Sequence, residues 1–140
     1  EAVLQALYWT ESSGDPVGQT LHTMSIRTDL APGASQFAMA LGRSTWACRE
    51  ELDRLIESAS QNWALDRISR VDRILLWMAL TEIRTFEEIP VKVSIDEAIE
   101  LAKRYSEEKA SAFINGILDA LVRREEVGGA AGLVGEAGER

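Results

Sequence analysis

The chain has 140 residues, a formal net charge of −8, 46% hydrophobic and 27% charged residues, and a single cysteine. That length suits one domain, or two tightly packed helical halves, and the composition is that of an ordinary globular protein able to bury a core without staples. The acidic balance excludes indiscriminate binding to nucleic acid, because phosphate contacts need Lys and Arg, but it leaves room for a local basic patch or a site completed by a partner. One cysteine, Cys48, excludes an intrachain disulfide and fits a reducing cytoplasm. No apolar run approaches a bilayer span, so no membrane contact is expected, and no secretory leader is visible.

Residues 1–11 read as the end of an amphipathic helix with Val3, Leu4, Leu7 and Tyr8 on one stripe, stopped by Ser12, Ser13 and Gly14. Asp15 followed by Pro16 reads as a capped helix start, with Val17, Leu21 and Met24 facing inward. Residues 30–33 form a loop that contains Pro32. The spacing of Phe37, Leu41, Cys48, Leu52, Leu55, Ile56 and Ala59 then predicts a long helix over 34–62, with Cys48 in the core. Gly42 should weaken it by roughly 1 kcal/mol relative to Ala. Residues 63–68 make a tight apolar connection.

Ser69 with Asp72 resembles a capped start, and Ile74 to Leu80 is apolar on every face. A helix that is apolar all round is buried all round, so this is the expected central helix, ending between Thr85 and Glu88. Ile89 to Val93 contains Pro90 and reads as an extended linker. Ser94-Ile95-Asp96-Glu97 matches a capping box, with Ile95, Ala98, Ile99 and Ala102 inward. The last helix spans about 107–124, with Ala110, Ile114, Ile117 and Leu121 as its stripe and Phe113 at its edge. Five of the ten glycines fall between Gly128 and Gly138, which predicts a domain over 1–126 and a disordered Gly-rich tail over 127–140. No alternating pattern would build a sheet, so the expected class is all-α.

Catalytic templates fail. One His and one Cys, far apart, cannot supply a metal site or a triad, and no glycine-rich loop precedes a Lys-Ser or Lys-Thr pair. His22 reads as a surface or half-buried residue. The acidic pairs Glu87-Glu88, Glu107-Glu108 and Glu125-Glu126 sit at helix boundaries and read as solvated charge. No enzyme activity, metal or cofactor is expected.

One cluster stands out. Lys103, Arg104 and Tyr105 close one helix, while Lys109 and Phe113 open the next across a short loop, so these five side chains should be neighbours. Basic groups beside exposed rings can hold single-stranded RNA, charges on phosphates and rings on bases. The same residues also suit a plain structural role, with cations at a helix C-terminus and rings capping the core.

Three blocks carry a resemblance: Ile68-Ser69-Arg70-Val71-Asp72-Arg73-Ile74-Leu75, the run from Ile89 to Tyr105, and Phe113-Ile114-Asn115-Gly116-Ile117-Leu118-Asp119. In this order and spacing they resemble NusB proteins over about 63–121, and Gln5-Ala6-Leu7-Tyr8 is similar to that family's first helix. The resemblance implies an all-α, compact domain made of two three-helix halves. It implies a transcription antitermination factor that binds boxA-type single-stranded RNA together with NusE, a small-subunit ribosomal protein, and so reaches other Nus factors and RNA polymerase.

Carried over by residue, the implied RNA face includes Tyr8, Lys109 and Phe113, with Lys103 and Arg104 beside them, and NusE would dock near Asp66, Asp72 and Tyr105. Gly116 would allow close helix approach, and Asn115 could bind backbone. Some members form homodimers, and a homodimer is compatible with this sequence. The family also carries an Arg-rich RNA-binding segment before its first helix, whereas this sequence opens at Glu1 within that helix. Two other readings are a NusB-like RNA-binding domain preceding a ribosomal RNA methyltransferase, against which the Gly-rich ending counts, and a helical interaction domain without an RNA role.

Overall fold

The computed structural model describes residues 1–60 and 65–124, with the backbone alone for Asp66. Among these residues six α-helices follow in order: α1 (Ala2–Ser13), α2 (Val17–Arg27), α3 (Pro32–Ala59), α4 (Arg70–Thr85), α5 (Val91–Tyr105) and α6 (Ala110–Arg123), with a 3-10 turn at Leu65–Arg67 before α4. No strand occurs among the described residues. The expected continuation of α3 to Asn62, the connection at Trp63 and Ala64, and the tail over 127–140 lie outside them.

The helices form two three-helix halves. Within α1–α3 and within α4–α6 each helix touches the other two, and the halves join along α3 and α4, with α1 also against α4 and α6 against α3. One continuous cluster of buried side chains runs through both halves. At its centre is α4, in which Ile74 to Thr81 and Ile83 are all buried. Trp77, 1% exposed, donates its indole N–H to Asp53 Oδ1 on α3 at 2.7 Å and meets the Trp46 ring edge-on at 6.3 Å. Arg73 lies between Glu11 on α1 (3.3 Å) and Asp53 on α3 (3.6 Å), so one guanidinium ties three helices.

Local chemistry explains the ends. Gly14, at φ 83°, takes the left-handed position that closes α1 and donates to Thr10 O at 2.9 Å. Ser69 caps α4 as expected, its hydroxyl accepting from Asp72 N at 3.1 Å. The starts of α2, α3 and α5 differ from expectation. Pro16 and Pro90 are themselves the cap residues and Pro32 is the first helical residue, each without a side-chain cap bond. A proline has no N–H to satisfy, so it opens a helix without a capping oxygen. Asp15 instead accepts from the Trp9 indole at 2.9 Å.

In α5 the capping box does not form. Ser94 lies one turn inside the helix and is buried, because starting at Val91 sets Val91, Ser94, Ile95 and Ala98 on one core-facing stripe. The helix takes residues 91–93 of the expected linker over 89–93. Similarly, α6 starts at Ala110 rather than near 107, with Ala110 N bonded to Glu107 O in the preceding turn.

Two core assignments are corrected. Cys48 is exposed, since the buried line of α3 runs through Ala38, Leu41, Gly42, Thr45, Leu52 and Ile56, leaving Cys48 on its shoulder. Phe37 is 38% exposed and packs edge-on against Phe86 at 5.4 Å. Gly42 has a purpose its propensity hides: a Cβ there would lie 2.5 Å from Leu21 Cδ2, so its absence lets α2 seat against α3. Gly116 does the reverse of what was expected, as a Cβ there would meet nothing within 4 Å, and Asn115 beside it is exposed.

Candidate nucleic-acid interface

The first turns of α4 and α6 face each other across the turn between α5 and α6, and between them lies a cleft of about 380 Å³. One side is built by Arg67, Ile68, Ser69 and Asp72 and the other by Ser106, Glu107, Lys109, Ala110 and Phe113. Two devices hold the cleft. Ile68 and Ala110 are buried and pin its floor to the core. Ser106 Oγ donates to Asp72 Oδ1 at 2.6 Å and ties the α5–α6 turn to the start of α4. Lys109 is exposed at the N-cap of α6, and one turn on, Phe113 is half-buried with its ring packed against the core.

A second part of the same surface lies on α1. Tyr8 is 42% exposed, so it belongs to the rim of its stripe and not to the core. The Arg70 guanidinium sits over its ring, 5.4 Å from the centroid, and donates to Ser12 Oγ at 2.7 Å. Arg70 lies between Ser69 and Asp72, which line the cleft. Gln5 on α1 reaches toward the Tyr105 hydroxyl at 3.5 Å, so Tyr105 also borders α1.

The five-residue cluster expected around the α5–α6 turn is therefore divided. Lys109 and Phe113 share the cleft, and Tyr105 turns to α1. Lys103 pairs with Glu100 at 3.8 Å and Arg104 pairs with Glu1, and neither lines the cleft. The cause is the last turn of α5, which points these side chains back along its own face and toward the start of α1. Of the residues implied for NusE, Asp72 lies in the cleft with Lys109 and Phe113, Tyr105 lies on the α1 side, and the Asp66 side chain is outside the described residues. Sequence reasoning passed over Arg67 and Arg70. Their signal was position alone: both flank Ser69, the cap that fixes the start of α4.

Other features of the sequence carry no chemistry at this site. His22 is exposed on α2, and Glu87, Glu88, Glu107 and Glu108 are exposed at helix boundaries. Among the described residues, no three His, Cys, Asp or Glu side chains gather as a metal ion would need. No described helix is long and apolar enough to cross a membrane. Among the described side-chain carboxyls one is perturbed: Glu82, between α4 and α5, is pushed above the usual carboxylate range by burial and by the nearby Glu97 charge, with the Ser94 hydroxyl opposing.

This arrangement has relatives. The chain is 44% identical over 123 residues to transcription antitermination protein NusB of Salinibacter ruber, covering 87% of this chain and 77% of that protein. It is 41% identical to the Myxococcus xanthus protein of the same name, covering 85% and 88%. Among solved structures, NusB of T. maritima superposes with a TM-score of 0.81 at 36% identity, covering 87% of this chain and 86% of that one. A chain from the complex of antitermination factors NusB and NusE with double-stranded RNA shares the fold, with a TM-score of 0.80 at 23% identity and 88% and 92% coverage. The NusB family model matches residues 1–123, from the cap of α1 to the end of α6, and the chain belongs to the NusB family.

Proposed function

We propose that this chain is a non-catalytic adaptor of transcription antitermination in the bacterial cytoplasm. It binds boxA-type single-stranded RNA together with NusE and acts through that complex on other Nus factors and RNA polymerase. The reading is supported by the name its relatives carry, transcription antitermination protein NusB, and by the fold it shares with a chain of the complex of NusB and NusE with double-stranded RNA. The observation that carries it is the cleft between α4 and α6, where Lys109 and Phe113 stand together on a chain of net charge −8. An acidic protein needs its few available cations gathered to meet a phosphate backbone, and it gains from a basic partner.

In this reading Lys109 contacts a phosphate, and Phe113 and Tyr8 stack on bases. Asp66, Asp72 and Tyr105 form the NusE side, and Lys103 and Arg104, engaged with Glu100 and Glu1, contribute long-range attraction. The function resides in residues 1–126, with the tail over 127–140 dispensable. The test is fluorescence anisotropy with labelled boxA and scrambled RNA, with and without NusE. Phe113→Ala should weaken boxA binding by about 1–3 kcal/mol, the usual worth of a base stacked on an aromatic ring, with melting checked in parallel because the ring borders the core. Equal binding of boxA and scrambled RNA by the parent chain with NusE would refute the reading.

A further inference from the structure

Many basic residues of this chain are already engaged by acidic ones. Arg73, Arg84, Lys92, Lys103, Arg104 and Arg123 each pair with a carboxylate. Arg67, Arg70 and Lys109 have no carboxylate within ion-pair distance among the described residues, and all three belong to the first turns of α4 and α6 or the 3-10 turn before α4. Arg67 and Lys109 line the cleft, and Arg70 lies in the α4 turn that forms its wall, with its guanidinium over Tyr8. In a chain with 23 acidic residues to 15 basic ones, three exposed cations without a carboxylate partner are charges left available to an incoming phosphate.

We propose that Arg67 and Arg70 are phosphate-contacting residues of the RNA surface, joining the α1 part at Tyr8 to the cleft at Lys109 and Phe113 as one track for a single strand. The inference rests on the RNA reading above and adds two residues that neither the sequence pattern nor the family resemblance assigned. Arg70 uses one N–H on Ser12 and keeps the rest of its planar fork for an incoming oxygen. Its guanidinium lies over one face of the Tyr8 ring and so couples the phosphate contact to that ring. Arg67 is exposed at the mouth of the cleft, ahead of the Ser69 cap. The carboxylates of Asp72 and Glu107 line the same cleft. They repel phosphate and accept from base amino groups, so they turn the backbone toward the arginines and the base edges inward.

The experiment measures the affinity of the full chain with NusE for boxA-type RNA over a range of salt. Arg67→Gln, Arg70→Gln and the double variant are compared with Arg43→Gln. Arg43 lies against Gly18 on the α2 side, so that variant removes the same charge elsewhere. Removing one phosphate-binding cation should flatten the log–log salt slope by about 0.7, which is about fivefold in affinity at 0.1 M salt. The expected result is that loss for Arg67→Gln and for Arg70→Gln, about twice that slope change for the double variant, and none for Arg43→Gln. Arg70→Lys, which keeps the charge, should restore the slope.

Parental affinity and slope in both glutamine variants, alongside parental preference for boxA, would overturn this inference and leave the functional reading standing. So would an equal loss in Arg43→Gln, or weakened NusE affinity with unchanged RNA affinity. If the parent binds boxA and scrambled RNA alike but the arginine variants still lose slope, the phosphate track stands and the boxA reading fails. A parent that binds no RNA overturns both.

Discussion

Replacing Trp77 tests the centre of the fold most directly, and two substitutions separate its parts. Trp77→Phe keeps a ring in the same space but removes the indole N–H that reaches Asp53 Oδ1 at 2.7 Å. A hydrogen bond to an ionised group is worth about 1.5–3 kcal/mol, and the smaller ring leaves a gap against Trp46. Asp53 keeps Arg73 at 3.6 Å, so its charge is not stranded, and the total loss should be about 2–4 kcal/mol. Trp77→Ala removes the ring as well. Packing alone then costs about 3–5 kcal/mol for so deeply buried a side chain, a large part of the about 5–15 kcal/mol available to a domain. Urea unfolding followed by circular dichroism at 222 nm measures both, with the slope against urea confirming that the same surface is exposed in each variant. A loss below about 1 kcal/mol in Trp77→Ala would show that α4 is not the buried centre, and equal losses in the two variants would show that packing contributes nothing beyond the hydrogen bond.

Gly42→Ala should lower stability despite the roughly 1 kcal/mol that helix propensity favours, because the new methyl meets buried Leu21 at 2.5 Å; a raised melting temperature would show that α2 can shift. Ser69→Ala should cost about 1 kcal/mol in urea unfolding, through loss of the bond to Asp72 N, with RNA binding weakened as the cleft wall frays. Glu82→Gln tests the buried carboxyl. Its folded pKa is raised above the unfolded value by burial, so the folded state binds the extra proton and the parent loses stability as pH rises through that range. The variant should therefore be more stable than the parent at pH 7 and lose that advantage below the ordinary glutamate pKa of about 4.3; a constant difference across pH would contradict this.

Much of the fold was legible because helices announce themselves by period. The stripe Ala110, Ile114, Ile117, Leu121 and the all-apolar run of α4 came out buried as read. Ser69 was legible because a capping hydroxyl acts within three residues. The proline-led starts were misread since the search was for a capping oxygen, and a proline removes the need for one. Cys48 and Gly116 were misread for a shared reason: near the edge of a stripe, burial depends on where the neighbouring helix ends, which a single helix's period does not contain. The site was legible in its residue types and not in its pairings. Nothing near Arg104 in sequence points to Glu1, and nothing near Tyr8 points to Arg70. Which cations remain unpaired is a property of the assembled surface, so Arg67 and Arg70 emerged only when the helices were set side by side.

The place of α4 has a consequence for how the molecule breathes. It packs against α1, α3, α5 and α6 and presents buried side chains on every side. Either half that swings away must strip one face of α4 bare, so the halves share one opening equilibrium. In native-state hydrogen exchange, the amides of its middle turns, around Leu76 to Leu80, should open only with global unfolding, while amides on the far side of α2 exchange through smaller excursions. The first turn of α4 carries Arg70 and, through Ser69 and Asp72, one wall of the cleft. The cleft wall is thus the capped end of the helix that its neighbours brace most fully, so RNA bound as proposed would meet a wall held from behind by the core.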